Sequence, residues 1–101
     1  MPTTNSIYGM RRANGDWFAL KKHGGLRVPV FSSNKDAIQA RMFNVEMLVF
    51  RPVILDGGAL NDLAAIDHEE STHFWLVESD SPTLRRGQML TYAELLDVCE
   101  R

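Results

Sequence analysis

The chain has 101 residues, of which 45% are apolar and 24% charged, with a formal charge of −2. These values exclude disordered, collagen-like and coiled-coil chains, and predict a single domain over residues 1–101 that buries about 60–70% of its unfolded-chain surface. No apolar run reaches the roughly 18 residues of a membrane span. Residues 1–6 lack the charged start and apolar core of a signal peptide, and the single Cys99 cannot form an internal disulfide, so a cytoplasmic location is expected.

Residues 7–12 read as a first strand and 17–22 as its antiparallel partner, joined across Ala13, Asn14, Gly15 and Asp16. Asn-Gly is the strongest short hairpin signal. In the second strand Trp17 and Ala19 point one way and Phe18 and Leu20 the other, which predicts apolar contact on both faces. Gly24 and Gly25 permit a further turn, and a third antiparallel strand from Leu26 completes a meander. Leu26, Val28 and Val30 share one face of that strand, with Pro29 between them. Ser33 followed by Asp36 approximates a capping box. The helix it opens, 35–43, is expected to turn Ala37, Ile38, Ala40 and Met42 inward and Lys35, Gln39 and Arg41 toward water.

Residues 45–50 are apolar on both faces apart from Glu46, the pattern of a central strand buried on both sides. Arg51 and Pro52 interrupt it before Val53, Ile54 and Leu55, and the proline predicts a bulge or an edge-facing amide. Asp56-Gly57-Gly58 leads into a helix striped by Leu60, Leu63, Ala64 and Ile66. A polar segment, 67–71, follows without usable periodicity. Residues 73–78 read as a second inner strand, with the Val45 strand as its candidate neighbour. Beyond a turn cluster from Ser79 to Pro82, Met89 and Leu90 suit a short edge strand. Thr91 with Glu94 is a full capping box, and Tyr92, Leu95, Leu96 and Cys99 continue at helical spacing. The expected fold is α+β: a mixed or mostly antiparallel sheet of about five strands, about three helices, and an N-terminal β-meander. Strand order is left open.

The candidate chemistry is sparse. Asp56-Gly57-Gly58 lacks the further glycines and the lysine of a phosphate-binding loop, and its carboxylate would repel an anion, so it reads as a tight turn. His68, Glu69, Glu70 and His73 could ligate a metal, but the two histidines are five apart and off a common helical face; no metal and no cofactor are expected. Cys99 on an apolar stripe reads as an inert buried thiol rather than a nucleophile, and no serine sits in a G-x-S-x-G context. No catalytic residue is assigned. The basic pairs Arg11/Arg12, Lys21/Lys22 and Arg85/Arg86 are scattered among acids, so no nucleic-acid partner is expected.

Trp17, Phe18, Phe31, Phe50, Phe74 and Trp75 suit a core first. If a pocket exists, Trp17, Phe31 and Trp75 are its candidate apolar wall, with Arg27 and Arg51 as polar handles because both interrupt apolar strands.

Trp17, Gly24-Gly25, Val28-Pro29-Val30-Phe31-Ser32-Ser33, Ala37, Ala40, Phe50-Arg51-Pro52-Val53 and Phe74-Trp75-Leu76-Val77 resemble small bacterial domains of unknown function. Over residues 16–77 this arrangement is also similar to the N-terminal domain of the SseB family, where a strand of this Pro-Val-Phe-Ser-Ser kind opens a helix. The resemblance implies an α+β binding or accessory module and supplies no catalytic residue. The first reading is therefore a non-enzymatic accessory or interaction domain, acting as a homo-oligomer or with a protein partner through an exposed sheet edge. The alternative is a small-molecule binding domain with an aromatic pocket, and a third is a small enzyme without a recognisable motif.

Overall fold

The structure, a computed structural model, describes residues 6–22, 25–69, 72–79, 81 and 83–100. The strands are β1 (Tyr8–Arg12), β2 (Leu20–Lys22), β3 (Gly25–Phe31), β4 (Phe50–Ile54), β5 (Thr72–Val77) and β6 (Gly87–Leu90). The helices are α1 (Asn34–Phe43), α2 (Gly57–Glu69) and α3 (Tyr92–Glu100), with a 3₁₀ turn at Val45–Met47. The sheet order is β4-β1-β3-β5-β6, with β2 also paired to β3. β3 and β5 run parallel and the other pairs antiparallel, which makes the fold α+β with a mixed sheet.

The N-terminal turn forms as the Asn-Gly signal predicts. Gly15 adopts φ 96°, and Gly15 N–H donates to Arg12 O while Arg12 N–H donates to Asp16 O, both at 2.9 Å. The N-terminal strands run antiparallel as expected, but β1 and β2 share β3 as their partner. Residues 17–22 split, with Trp17 making an isolated bridge to Arg11 and Leu20–Lys22 pairing with β3 instead. Both β1 and β2 therefore lie along one edge of β3. The switch falls at Pro29. Tyr8 and Gly9 pair with Phe31 and Val30, whereas β2 begins at Leu20 opposite Arg27. Leu55 N–H bonds Ile7 O on the β4 side, so by the antiparallel alternation Tyr8 pairs its backbone with Phe31, and position 29 faces the same way as Phe31. Proline has no N–H to offer there, and Phe18 N–H donates to Met10 O at 2.8 Å across the gap.

Two apolar layers hold the sheet between helices. On one face Ile7, Trp17, Val28, Val30, Leu55 and Phe74 pack against Ala59 and Leu63 of α2 and Leu95 of α3. On the other, Met10, Phe18, Phe31, Phe50 and Val77 pack against Ala37 and Ala40 of α1 and Met47. The alternation of Val28 and Val30 against Phe31 along β3 feeds both layers, as a period of two requires.

The helix starts are local in origin. Asp36 N–H donates to Ser33 Oγ, and the Asp36 carboxylate accepts from Ser32 Oγ and Ser79 Oγ. Ala59 N–H donates to Asp56 Oδ1 at 2.9 Å, so Asp56 caps α2 and its carboxylate occupies the helix N-terminus. Thr91 and Glu94 form the reciprocal box, Glu94 N–H to Thr91 Oγ1 and Thr91 N–H to Glu94 Oε1. α2 runs on to Glu69, through part of the segment read as lacking periodicity; Glu70 and Ser71 lie outside the described residues.

The largest correction concerns residues 45–50. They are not a buried central strand: Val45–Met47 is a 3₁₀ turn, β4 starts only at Phe50, and β4 is the edge strand next to β1. The inner strands are β1, β3 and β5, and β5 lies between β3 and β6 rather than beside the Val45 segment. Likewise Ile38 and Met42 of α1 face outward and only Ala37 and Ala40 are buried. Cys99 is partly buried against the α3 side of the core rather than fully enclosed.

Candidate functional site

Ala37 and Ala40 bring α1 close to the sheet because they carry a single methyl group each. The bulk of its apolar side chains is left on the far side. Met42 is 77% exposed, Phe43 65% and Val45 76%, and Ile38, Leu48 and Val49 are exposed as well. Over residues 42–49 Met47 is the apolar side chain that turns inward. The backbone beneath this face is hydrogen-bonded: Arg41 Nη2 donates to Leu48 O and Asn44 Nδ2 to Ala40 O, both at 2.7 Å. The exposed side chains thus project from an ordered frame. Six of them together offer on the order of 600 Å² to solvent, the upper end of what a monomer's largest apolar patch reaches.

β4 borders the sheet on the α1 side, and its Ile54 is also exposed. The Leu55–Ile7 bond and the β1–β4 register, with Pro52 opposite Met10, place the backbone of Pro52 toward the open edge. Pro52 is the edge-facing position that its ring predicts. It removes a donor from the middle of that edge and disfavours strand addition there.

A cleft of about 390 Å³ opens on the same sheet face, beyond the reach of α1. The Arg27 guanidinium lies 4.5 Å from the centroid of the Trp75 ring, and Trp75 Nε1 donates to Leu84 O at 3.1 Å. Leu84 is held at φ 66°, with its N–H on Ser81 O. Asn44, Glu46, Thr83 and Arg85 complete the polar part of the lining and Phe18 and Leu20 the apolar part.

The five sequence candidates do not converge. Arg27 and Trp75 share this cleft. Phe31 is fully buried in the core under α1. Arg51 is exposed on β4, opposite Arg11, and lines neither this cleft nor the groove at Trp17. Trp17 lies on the opposite sheet face, under the Arg11 guanidinium at 4.7 Å. Arg11 in turn bonds Asp62 of α2 at 2.7 Å and Gly15 O at 2.8 Å, and these residues line an open groove of about 600 Å³ beside Trp17. Among the described residues the buried Trp17 Nε1 has no hydrogen-bond partner. The side chains of Asp67, His68 and Glu69 and all of Glu70 lie outside the described residues, while His73 is exposed at the start of β5.

The sequence missed the apolar face because its alternation mimics a strand. The signal available was the run's position, directly after a helix with no turn residue except Asn44. No protein-family model matches the chain and no curated protein matches its sequence. Among the described residues no helix is long and apolar enough to cross a membrane.

Proposed function

We propose that this chain is a non-enzymatic, cytoplasmic protein-interaction domain that works through the apolar face of α1 and the turn after it. The observation that carries the reading is the exposure of Ile38, Met42, Phe43, Val45, Leu48 and Val49 together. Exposed methionine and aromatic side chains are what interface centres use, because they bury large areas and adapt in shape. Helix-in-groove or helix-on-helix docking suits this face better than strand addition, since Pro52 blunts the adjacent edge. Replacing Phe43 in the full chain with a photo-crosslinking phenylalanine analogue tests the reading inside the host cell. A covalent adduct that Val45→Glu abolishes is expected, and its absence overturns the proposal.

The stacked Arg27–Trp75 pair supports a second reading, a small-molecule site. Arg27 and Arg85 against Glu46 give the cleft a net positive lining, which suits a small planar carboxylate. Titrating aromatic and aliphatic carboxylates against tryptophan emission tests it. A saturable change lost in Arg27→Gln supports this reading, and a flat response across the set removes it.

A further inference from the structure

We infer that the occupant of the apolar face is a second copy of this chain, docked α1 against α1, antiparallel, across a twofold axis; the inference rests on the interaction reading above.

The area fits. A stable interface takes about 800 Å² per partner, roughly a tenth of a small protein's surface, and a tenth of the 6383 Å² accessible here is on the order of 640 Å². The six exposed apolar side chains supply on the order of 600 Å², and the exposed Lys35 and Gln39 beside them extend the patch.

The charge pattern fits as well. A twofold interface lays one patch on itself, so a charge at its centre would meet its own kind. The outward line of α1 runs Lys35, Ile38, Gln39, Met42, with its charge at one end. A parallel arrangement would oppose two lysines. The antiparallel one sets Ile38 against the partner's Met42 and carries Lys35 to the C-terminal end of the partner's α1, where the last carbonyls and the exposed Glu46 are negative. Lys35 stands in the first turn of α1 and Glu46 in the 3₁₀ turn just beyond its end, and an axis near residue 40 brings each to the other's copy. The remaining charges of α1 do not oppose this. Asp36 is held by Ser32 and Ser79, and Arg41 is committed to Leu48 O.

Sedimentation equilibrium of the full chain over a wide concentration range tests the inference. The expected mass at high concentration is twice 11.4 kDa. Met42→Lys, at a position that contributes nothing to the core, is expected to keep the wild-type circular dichroism and unfolding midpoint and to weaken dimerisation at least tenfold. Lys35→Glu and Glu46→Lys are each expected to weaken it several-fold, and the double exchange to restore it; additive losses overturn the antiparallel register. A wild-type chain that stays at 11.4 kDa at every concentration overturns the second copy. In that case a Phe43 crosslink to another protein still leaves the interaction reading standing, whereas the absence of any adduct removes both.

Discussion

The indole of Trp17 lies against the backbone of Gly9. A Cβ on Gly9 would stand 2.8 Å from Trp17 Cζ3 and 3.3 Å from Leu55 Cδ2. Trp17 is fixed from above by the Arg11 guanidinium and sits within the α2-side core, so it has little room to retreat. Gly9→Ala is therefore expected to overpack this layer and cost about 1–3 kcal/mol, read as a lower urea midpoint with a shifted tryptophan emission. An unchanged midpoint would mean that the ring moves freely.

The same β1–Trp17 region marks how far the sequence could be read. Two of the caps were legible, Ser33 and Thr91, each preceding a helical stripe and bonding three residues on; Asp56, read only as part of a tight turn, caps α2 through a bond of the same span. The two-sided apolar strand β5 was legible for the same local reason. Strand partners were not, because pairing depends on residues far apart, and the exchange of β1 for β2 along β3 leaves only Pro29 as a sign. Residues 45–50 show the deeper limit. Alternation reports which side chains share a face, but not whether the chain covers that face, and an exposed apolar surface reads like a core. The candidate site failed for a related reason. Arg27 and Trp75 come together only through the parallel β3–β5 register, which no local pattern encodes.

Glycines rank differently by what surrounds them. At Gly87 an added Cβ would lie 2.5 Å from Leu76 O, a strand carbonyl, and 2.8 Å from Trp75 Nε1. Backbone cannot swing aside as a side chain can, so Gly87→Ala is expected to cost more than Gly9→Ala and to loosen the Trp75–Leu84 bond. Gly57, in the first turn of α2, has nothing within 4 Å. Gly57→Ala is expected to stabilise by about 0.5–1 kcal/mol, through helix propensity and a less flexible unfolded chain. Chemical denaturation of the three variants checks the order, and a stable Gly87→Ala would contradict the packing at β6.

Removing a cap isolates one local term. Thr91→Ala loses the bond to Glu94 N–H and is expected to cost about 1 kcal/mol. Glu94→Gln keeps the reciprocal geometry and is expected to cost a few tenths. Equal losses in the two variants would show that charge at the helix start, not the hydrogen-bonded box, carries the effect.

The Arg11–Asp62 bridge ties β1 to α2, but Asp62 is half exposed. Solvent screens such a pair, so Asp62→Asn is expected to cost less than about 1 kcal/mol, and less still in high salt. Arg11→Ala also strips the cover from Trp17 and is expected to cost more than Asp62→Asn. Midpoints at low and high ionic strength separate the two contributions, and a salt-independent loss in Asp62→Asn would count against screening.

Residues 45–48 hold neighbours with opposite roles. Met47 is fully buried beside Phe31 and Phe50, while Val45 and Leu48 are exposed. Met47→Ala opens a cavity in the α1-side layer and is expected to cost about 2–5 kcal/mol. Val45→Ala removes a side chain that touches mostly water, so in dilute solution it is expected to change stability by less than about 0.5 kcal/mol. For the dimer proposed above the difference is expected to narrow at high concentration, because Val45 would then contribute through association, and mass action makes that contribution depend on protein concentration. Unfolding midpoints measured for both variants at two concentrations distinguish a core residue from an interface residue. A Val45→Ala deficit of equal size at both concentrations would mean that this side chain belongs to the fold.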